Sequence, residues 1–351
     1  MPDPILVYGA TGYTGQLIVA LARRQGLAPV LAGRNAEAVG ALAAQHGLTH
    51  RVAALDDAPA LDRALDGMNV VIHCAGPFVH TSRAMVDACL RTGVHYLDIT
   101  GEWQVFEACA TRDAEARARG VMLLPGVGFD VVPSDCLAAH VVRRLPDATS
   151  LALAFRALGG PSRGTALTMA ESLGRPGVAR IDGRLVAEPM GAQVRRIDFG
   201  DGTGPQTAAS IAWGDVSTAY HSTGVPNVRV YMSMTPAMLR QLRLARWLGP
   251  VLRSGTVQRA LRQRIVSGRA GPSSESRARR DSRLWAEARN AAGRVVVSTL
   301  RGPNGYDLTA DAAVRIAQRV LAGSALPGFQ TPSKAYGADF VLELPGVTRA
   351  D

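Results

Sequence analysis

Residues 4–15 read Pro-Ile-Leu-Val-Tyr-Gly-Ala-Thr-Gly-Tyr-Thr-Gly, and the order of these residue types decides the fold. The short apolar run ending at Tyr8 predicts a buried strand. Gly9, Gly12 and Gly15 make a turn, and Leu17, Ile18, Leu21 and Ala22 then recur at helical spacing. Strand, glycine turn and helix follow one another as a dinucleotide-binding fold requires. Gly9 permits the tight turn, Gly12 lets the backbone approach a pyrophosphate, and Gly15 lets the helix lie close on the strand. The helix N-terminus then holds the phosphate charge. Thr11, Tyr13 and Thr14 lie between these glycines and join the expected cofactor contacts.

A glycine turn by itself is a weak signal, and this one is spaced Gly-x-x-Gly-x-x-Gly; its surroundings give it weight. Strands expected near 28–32, 50–55, 69–74, 95–99 and 121–125 alternate with helices near 36–46, 59–66, 81–92 and 103–119. This alternation predicts an α/β, Rossmann-type doubly wound parallel sheet, in which ligands bind beyond the carboxyl ends of the strands. At the second strand end the chain reads Leu31-Ala32-Gly33-Arg34-Asn35. No carboxylate is placed there for a ribose 2′-hydroxyl, and the guanidinium can pair with a 2′-phosphate. NADP(H) is therefore the expected cofactor; the alternative is that Arg34 only stacks on adenine and either cofactor is accepted.

Three later strand ends carry chemistry. Cys74, Ala75, Gly76, Pro77 and Phe78 form an expected turn under the nicotinamide half. Gly101 and Glu102 follow Asp98, and Asp130 closes the stretch 125–130 before Ser134 and Asp135. Glu102 and Asp130 are candidates to orient substrate or move a proton, with Tyr220, beside His221, as a candidate general acid in the second half. Asp98, Ser134 and Asp135 read equally well as caps of turns and helices. No Ser-His-Asp arrangement or metal-ligand spacing is present, so hydrolase and metal readings are set aside. Cys74, Cys89, Cys109 and Cys136 match no redox or zinc spacing.

The chain has 351 residues, 47% apolar and 19% charged, with a mean hydropathy of +0.06. This excludes a disordered protein, and no apolar run approaches the roughly 18 residues of a membrane span. The opening residues lack the basic and small-residue pattern of a secretory signal, so a cytoplasmic protein is expected, peripheral at the membrane at most. Lys334 is the one lysine, and the Ala- and Gly-rich, arginine-dominated composition points to a GC-rich bacterial genome.

The net charge of +10 is local. Residues 236–283 hold twelve arginines (240, 243, 246, 253, 259, 262, 264, 269, 277, 279, 280 and 283) against Glu275 and Asp281, a net of +10. The rest of the chain is therefore neutral. Met238, Leu239, Leu242, Ala245, Trp247, Leu248, Val251 and Leu252 recur between the first arginines, which predicts a basic amphipathic helix. It reads either as a solvated helix or as a surface for an acidic carrier protein or an anionic membrane. Nucleic acid is set aside because no aromatic interleaving accompanies the arginines.

From Thr149 the pattern changes. Strands expected near 193–199, 206–213, 226–234, 284–291 and 294–301 suggest a largely antiparallel sheet, with helices near 164–174 and 236–267 on one face and a final helix near 309–322. The expected domains are 1–145 for the dinucleotide, 146–305 for substrate or homodimerisation, and 306–351 returning to the first.

Taken together, Gly-Ala-Thr-Gly-Tyr-Thr-Gly at 9–15, Ala-Gly-Arg at 32–34, Cys-Ala-Gly-Pro-Phe at 74–78, Tyr-Leu-Asp-Ile-Thr-Gly-Glu at 96–102 and Gly-Phe-Asp-Val-Val-Pro-Ser-Asp at 128–135 resemble the saccharopine dehydrogenase-like family. The last motif, with Ser-Arg-Gly-Thr at 162–165, is similar to the short branch that includes bacterial trans-acting enoyl reductases. The resemblance implies a Rossmann domain followed by an inserted mixed α/β domain. It also implies NADP-dependent reduction of an acyl C=C bond or an imine C=N bond. A catalytically silent NADP-binding sensor or adaptor, using the arginine-rich helix as its partner surface, is the alternative.

Overall fold

The computed structural model describes residues 3–157 and 160–351, and of Ala157 and Arg246 the backbone alone. These residues divide into two compact units: those up to Val132 with Tyr306–Ala335, and Pro133–Gly305 with Tyr336–Asp351.

In the first unit, β1 (Ile5–Tyr8), β2 (Val30–Gly33), β3 (His50–Val52), β4 (Val70–His73), β5 (His95–Asp98) and β6 (Met122–Leu124) alternate with α1 (Tyr13–Arg24), α2 (Ala36–His46), α3 (Ala58–Leu65), α4 (Phe78–Thr92), α5 (Trp103–Ala110) and α6 (Asp113–Ala118). The strands lie in the order β6-β5-β4-β1-β2-β3 and every pairing is parallel. All residues of β1, β2, β4 and β6 are buried, as expected of strands covered on both faces. Order reverses between β1 and β4, which makes their carboxyl ends the expected ligand crevice. Helix starts follow local chemistry: Asn35 and Asp57 accept from the amides of Ala38 and Ala60 and cap α2 and α3. The single helix expected over 103–119 is two. Thr111 turns its hydroxyl onto the Ala108 carbonyl, and the Arg112 side chain leaves the helix line for Asp87 and Glu115.

The second unit runs α7 (Val132–Arg144), β7 (Ala148–Ala157), α8 (Arg163–Ser172), β8 (Gly177–Ile181), β9 (Arg184–Glu188), β10 (Val194–Ile197), β11 (Gln206–Ile211), α9 (Asp215–Thr223), β12 (Asn227–Ser233), α10 (Pro236–Trp247), α11 (Gly249–Leu252), α12 (Gly255–Val266), α13 (Ser274–Ala278), β13 (Asp281–Asn290) and β14 (Val295–Pro303). Its sheet is mixed: β12 pairs β7 in parallel, and β10-β11-β12 and β7-β13-β14 pair antiparallel, with β8 and β9 branching from β12. Helix α9 packs on β12 and β8, burying Val216 and Ala219. Tyr220 and His221 thus sit on this helix. The expected helix 236–267 is broken, since Pro250 has no amide to continue the ladder and Ser254 caps α12 by accepting from Val257. Helix α12 packs with α8, so α9 takes the covering role that the sequence suggested for these two.

The chain then forms α14 (Gly305–Leu321), β15 (Gly328–Phe329), α15 (Pro332–Tyr336) and β16 (Thr348–Ala350). β15 pairs β6 in parallel, making a seven-stranded sheet among the described residues, whereas β16 pairs β14 of the second sheet. The tail after Tyr336 therefore belongs to the second unit and not to the first, as 306–351 had suggested. The boundary near 145 falls at 132. The reason is side-chain bonding by α7: Ser134 donates to Asp215, Ser222 donates to Asp135, His140 meets Asp351, and Arg143 pairs with Asp339.

Candidate active site

The site is built at the carboxyl edge of the first sheet. Gly9 has φ +78°, a region that side chains rarely adopt, and a Cβ on it would stand 2.8 Å from the Ala75 amide nitrogen. The turns after β1 and β4 are thus in contact where the strand order reverses. A Cβ on Gly15 would stand 2.5 Å from the Gly9 carbonyl oxygen, so α1 begins hard against the same turn. Gly12, the residue before α1, is different: its φ is −69° and its nearest obstacle is 3.2 Å away. No side chain caps α1 and its first turn holds no acid, so its leading amides face outward for an anion. Thr11 lies in the turn, its carbonyl accepting from Gln16, and Thr14 is half-buried in the first helical turn.

Arg34 projects exposed from the end of β2 and pairs with no described carboxylate. Its charge lies near enough to Tyr8 to oppose the burial that pushes this phenol up to about 12.

The turn after β4 is held from beneath. Cys74 donates its thiol to the Ile72 carbonyl at 3.8 Å, and burial pushes that thiol far up, so it carries no thiolate chemistry. The Gly76–Pro77 peptide is cis, and buried Phe78 meets His73 edge-on at 5.5 Å. Burial holds His73 down at about 3 and therefore neutral. Its Nε2 lies 3.2 Å from Thr81 Oγ1, whose hydroxyl donates to the Ala75 carbonyl at 2.6 Å.

The carboxylates divide their roles. Asp98 is buried and accepts from Tyr96 Oη at 2.6 Å, Gly126 N at 2.8 Å and Thr100 N at 3.0 Å; desolvation pushes it up to about 6 against these bonds. It ties the loop after β5 to the loop after β6. Glu102, expected as a catalytic group, accepts from Phe78 N at 2.9 Å and Val79 N at 2.7 Å, and so caps α4. Asp130 is the carboxyl whose proton is poised: burial first, and the Glu102 charge second, push it up to about 7. A Cβ on Gly101 would stand 2.8 Å from Asp130 Oδ2. Gly101, expected to touch cofactor, makes room for this side chain.

Sequence motifs missed the roof of the site. Phe129 N donates to Thr309 Oγ1 at 2.9 Å, and the Tyr13 and Tyr306 rings meet edge to face with centroids 5.0 Å apart. Both partners come from α14, and only its expected return could have signalled them.

The family model for the saccharopine dehydrogenase NADP-binding domain matches residues 5–124, from β1 to β6. This stretch is similar to the NADP-binding domain of saccharopine dehydrogenases. Its glycine turn, uncapped helix start and unpaired Arg34 fit the pyrophosphate and 2′-phosphate of NADP. A trans-acting enoyl reductase of Mycobacterium leprae is 32% identical over 149 residues, 40% of this chain and 36% of that protein. The human saccharopine dehydrogenase-like oxidoreductase is 26% identical over 156 residues, 38% of this chain and 36% of that protein. The match thus spans little more than a third of these relatives. Beyond the NADP-binding domain, the fold as a whole is shared with the apo saccharopine dehydrogenase (L-Glu forming) of Saccharomyces cerevisiae, with TM-score 0.64, 13% identity and 99% of each chain covered.

Tyr220 stands in the second unit, its ring under the Arg180 guanidinium at 4.3 Å and beside His221 at 5.5 Å. Among the described residues no group of His, Cys, Asp and Glu could hold a metal ion, and no helix is long and apolar enough to cross a membrane.

Proposed function

We propose that the chain is an NADPH-dependent oxidoreductase that reduces the C=C bond of an unsaturated acyl group, with a C=N bond as the competing acceptor. The observation that carries this reading is Asp130, a carboxyl pushed up to about 7 at the carboxyl edge of a dinucleotide-binding sheet. When bound, the nicotinamide supplies hydride. The glycine turn and the α1 amides would hold its pyrophosphate, and Arg34 its 2′-phosphate. Asp130, protonated below neutrality, would donate the proton that completes reduction, and Glu102 keeps that proton on Asp130 by its charge while fixing the turn at Phe78.

Two facts favour the acyl acceptor. The Mycobacterium leprae relative is an enoyl reductase. The arginines that an amino-acid adduct would need for its carboxylates are engaged: Arg156 pairs with Asp201, Arg229 with Glu188, and Arg163 donates to the Gly268 carbonyl. The test is NADPH oxidation followed with enoyl thioesters and with cyclic imines. Turnover of the thioesters supports the proposal, and turnover of imines alone moves it to C=N chemistry. Tight NADPH binding without turnover of either class overturns it in favour of a silent sensor.

A further inference from the structure

The arginine-rich segment presents a face that no described residue covers. Helix α10 and the short α11 that continues it touch their own unit through one side. Leu239, Leu242 and Ala245 are half-buried, Leu242 lies where a Cβ on Gly191 would come within 2.8 Å, and Gly249 is buried against Gly174. On the wheel, Leu244, Trp247, Leu248 and Val251 fall at i, i+3, i+4 and i+7, away from that contact side. They are 60%, 87%, 44% and 57% exposed. A tryptophan exposed to this degree beside three aliphatic side chains is an apolar stripe without a partner.

Cations border the stripe. Arg240 and Arg243 are exposed on α10, and Arg259, Arg262 and Arg264 on α12, and none of these five makes an ion pair with a described residue. Elsewhere in the unit most arginines are matched, as in Arg195 with Glu287, Arg283 with Asp281 and Arg349 with Asp339. The arm is nonetheless fastened: Gln258 donates to the Ala170 and Leu252 carbonyls, Arg253 to the Gly174 carbonyl, and Arg163 to the Gly268 carbonyl.

We infer that α10–α12 is a docking surface for an anionic lipid bilayer, with Leu244, Trp247, Leu248 and Val251 entering the boundary between headgroups and acyl chains and the unpaired arginines resting on lipid phosphates. Four side chains on one convex stripe suit a shallow insertion, and the indole of Trp247 suits the interface itself. The surrounding charge is guanidinium, which binds phosphate oxygens in pairs. An acidic protein could satisfy the arginines, but it would also need an apolar patch matched to this stripe, which a bilayer interface presents everywhere.

The test uses the full chain and vesicles of phosphatidylcholine with and without phosphatidylglycerol. Expected is co-flotation with the anionic vesicles, weakened by salt, and none with the neutral ones. The variant Leu244→Ser/Trp247→Ala/Val251→Ser, at exposed positions that leave the fold intact, should lose about tenfold or more in partition. Arg259→Ala/Arg262→Ala/Arg264→Ala should lose up to about a hundredfold, at about fivefold per surface cation. Brominated lipid should quench fluorescence in the parent chain more than in Trp247→Phe, a readout that stands even if a multiple variant misfolds. Absence of flotation at low salt overturns the inference. So does full binding by the apolar variant, which marks adsorption by charge without insertion, or tighter capture by polyglutamate than by vesicles, which marks a protein-docking surface instead. None of these readouts requires turnover, so the outcome is independent of the proposed reductase activity.

Discussion

The start of α1 and the α10–α12 arm are both helical segments whose ends look outward, yet they are held in opposite ways. At Gly9 and Gly15 the backbone is packed against backbone, and no side chain can be added without moving a turn. In α12 no residue is fully buried, and the arm keeps its place by a few side-chain bonds to carbonyls. The first arrangement fixes the chemistry of single positions, whereas the second fixes only the sign and texture of a surface. Substitutions should therefore be severe and specific along the carboxyl edge of the first sheet and mild on the exposed faces of the α10–α12 arm.

The largest expected effect is at Gly15. Gly15→Val places methyls where the Gly9 carbonyl oxygen lies 2.5 Å from a Cβ, and it should lower unfolding free energy by about 3 kcal/mol in chemical denaturation. Gly12→Ala meets its nearest atom at 3.2 Å, so it should leave the denaturation midpoint nearly unchanged while weakening NADPH in calorimetric titration. Equal stability losses at the two glycines would break the contrast drawn above.

Next comes Asp130→Asn, which should lower kcat by about a hundredfold with NADPH affinity unchanged. Loss of cofactor binding in that variant would move Asp130 from proton transfer to cofactor contact. The same residue sets a pH dependence. Its carboxyl rises from an ordinary 3.8 to about 7 on folding, so its contribution to stability is full below pH 3.8 and is lost as pH rises through 7. Asp130→Asn should therefore flatten the decline between these limits and be the more stable form at pH 8, as thermal melts across pH would reveal.

Arg34→Ala should weaken NADPH by about tenfold to a hundredfold and leave NADH unaffected, the magnitude of a charge-assisted contact. A parallel loss for both nucleotides would mean stacking on adenine. The smallest effect belongs to Tyr220→Phe, which keeps the ring beneath Arg180 and should change both stability and kcat by less than about 0.5 kcal/mol. A large kcat loss there would restore Tyr220 as the acid.

The parallel sheet was legible because its strands are short buried runs set between helices of unambiguous period, and the glycine turn because its spacing is dictated by sterics. The carboxylates were legible as a group but not by role. Glu102 and Asp130 look alike in sequence, and what separates them is the pair of α4 amides that Glu102 meets across a neighbouring strand. Tyr306 and Thr309 carried no local signal because their meaning depends on a contact with residues roughly 180 or more positions earlier. In the second unit, proline's missing amide signals the break at Pro250, but the apolar period running on through Val251 and Leu252 masks it. The contact sides of α10 and α11 are set by their neighbours Gly191 and Gly174, far from them in sequence.

The placement of β15 bears on how the molecule is made. During synthesis β6 leaves the ribosome some two hundred residues before the strand that pairs its outer edge, and α14 follows the long Pro133–Gly305 part of the second unit. Throughout that interval the nascent first unit presents an unpaired edge bearing Met122, Leu123 and Leu124, all buried in the finished protein. The second unit must wait in turn for β16 to cover β14. Both units are completed by the same stretch, residues 328–350, so truncation shortly before residue 328 should send the product to chaperones and proteases instead of leaving one working half.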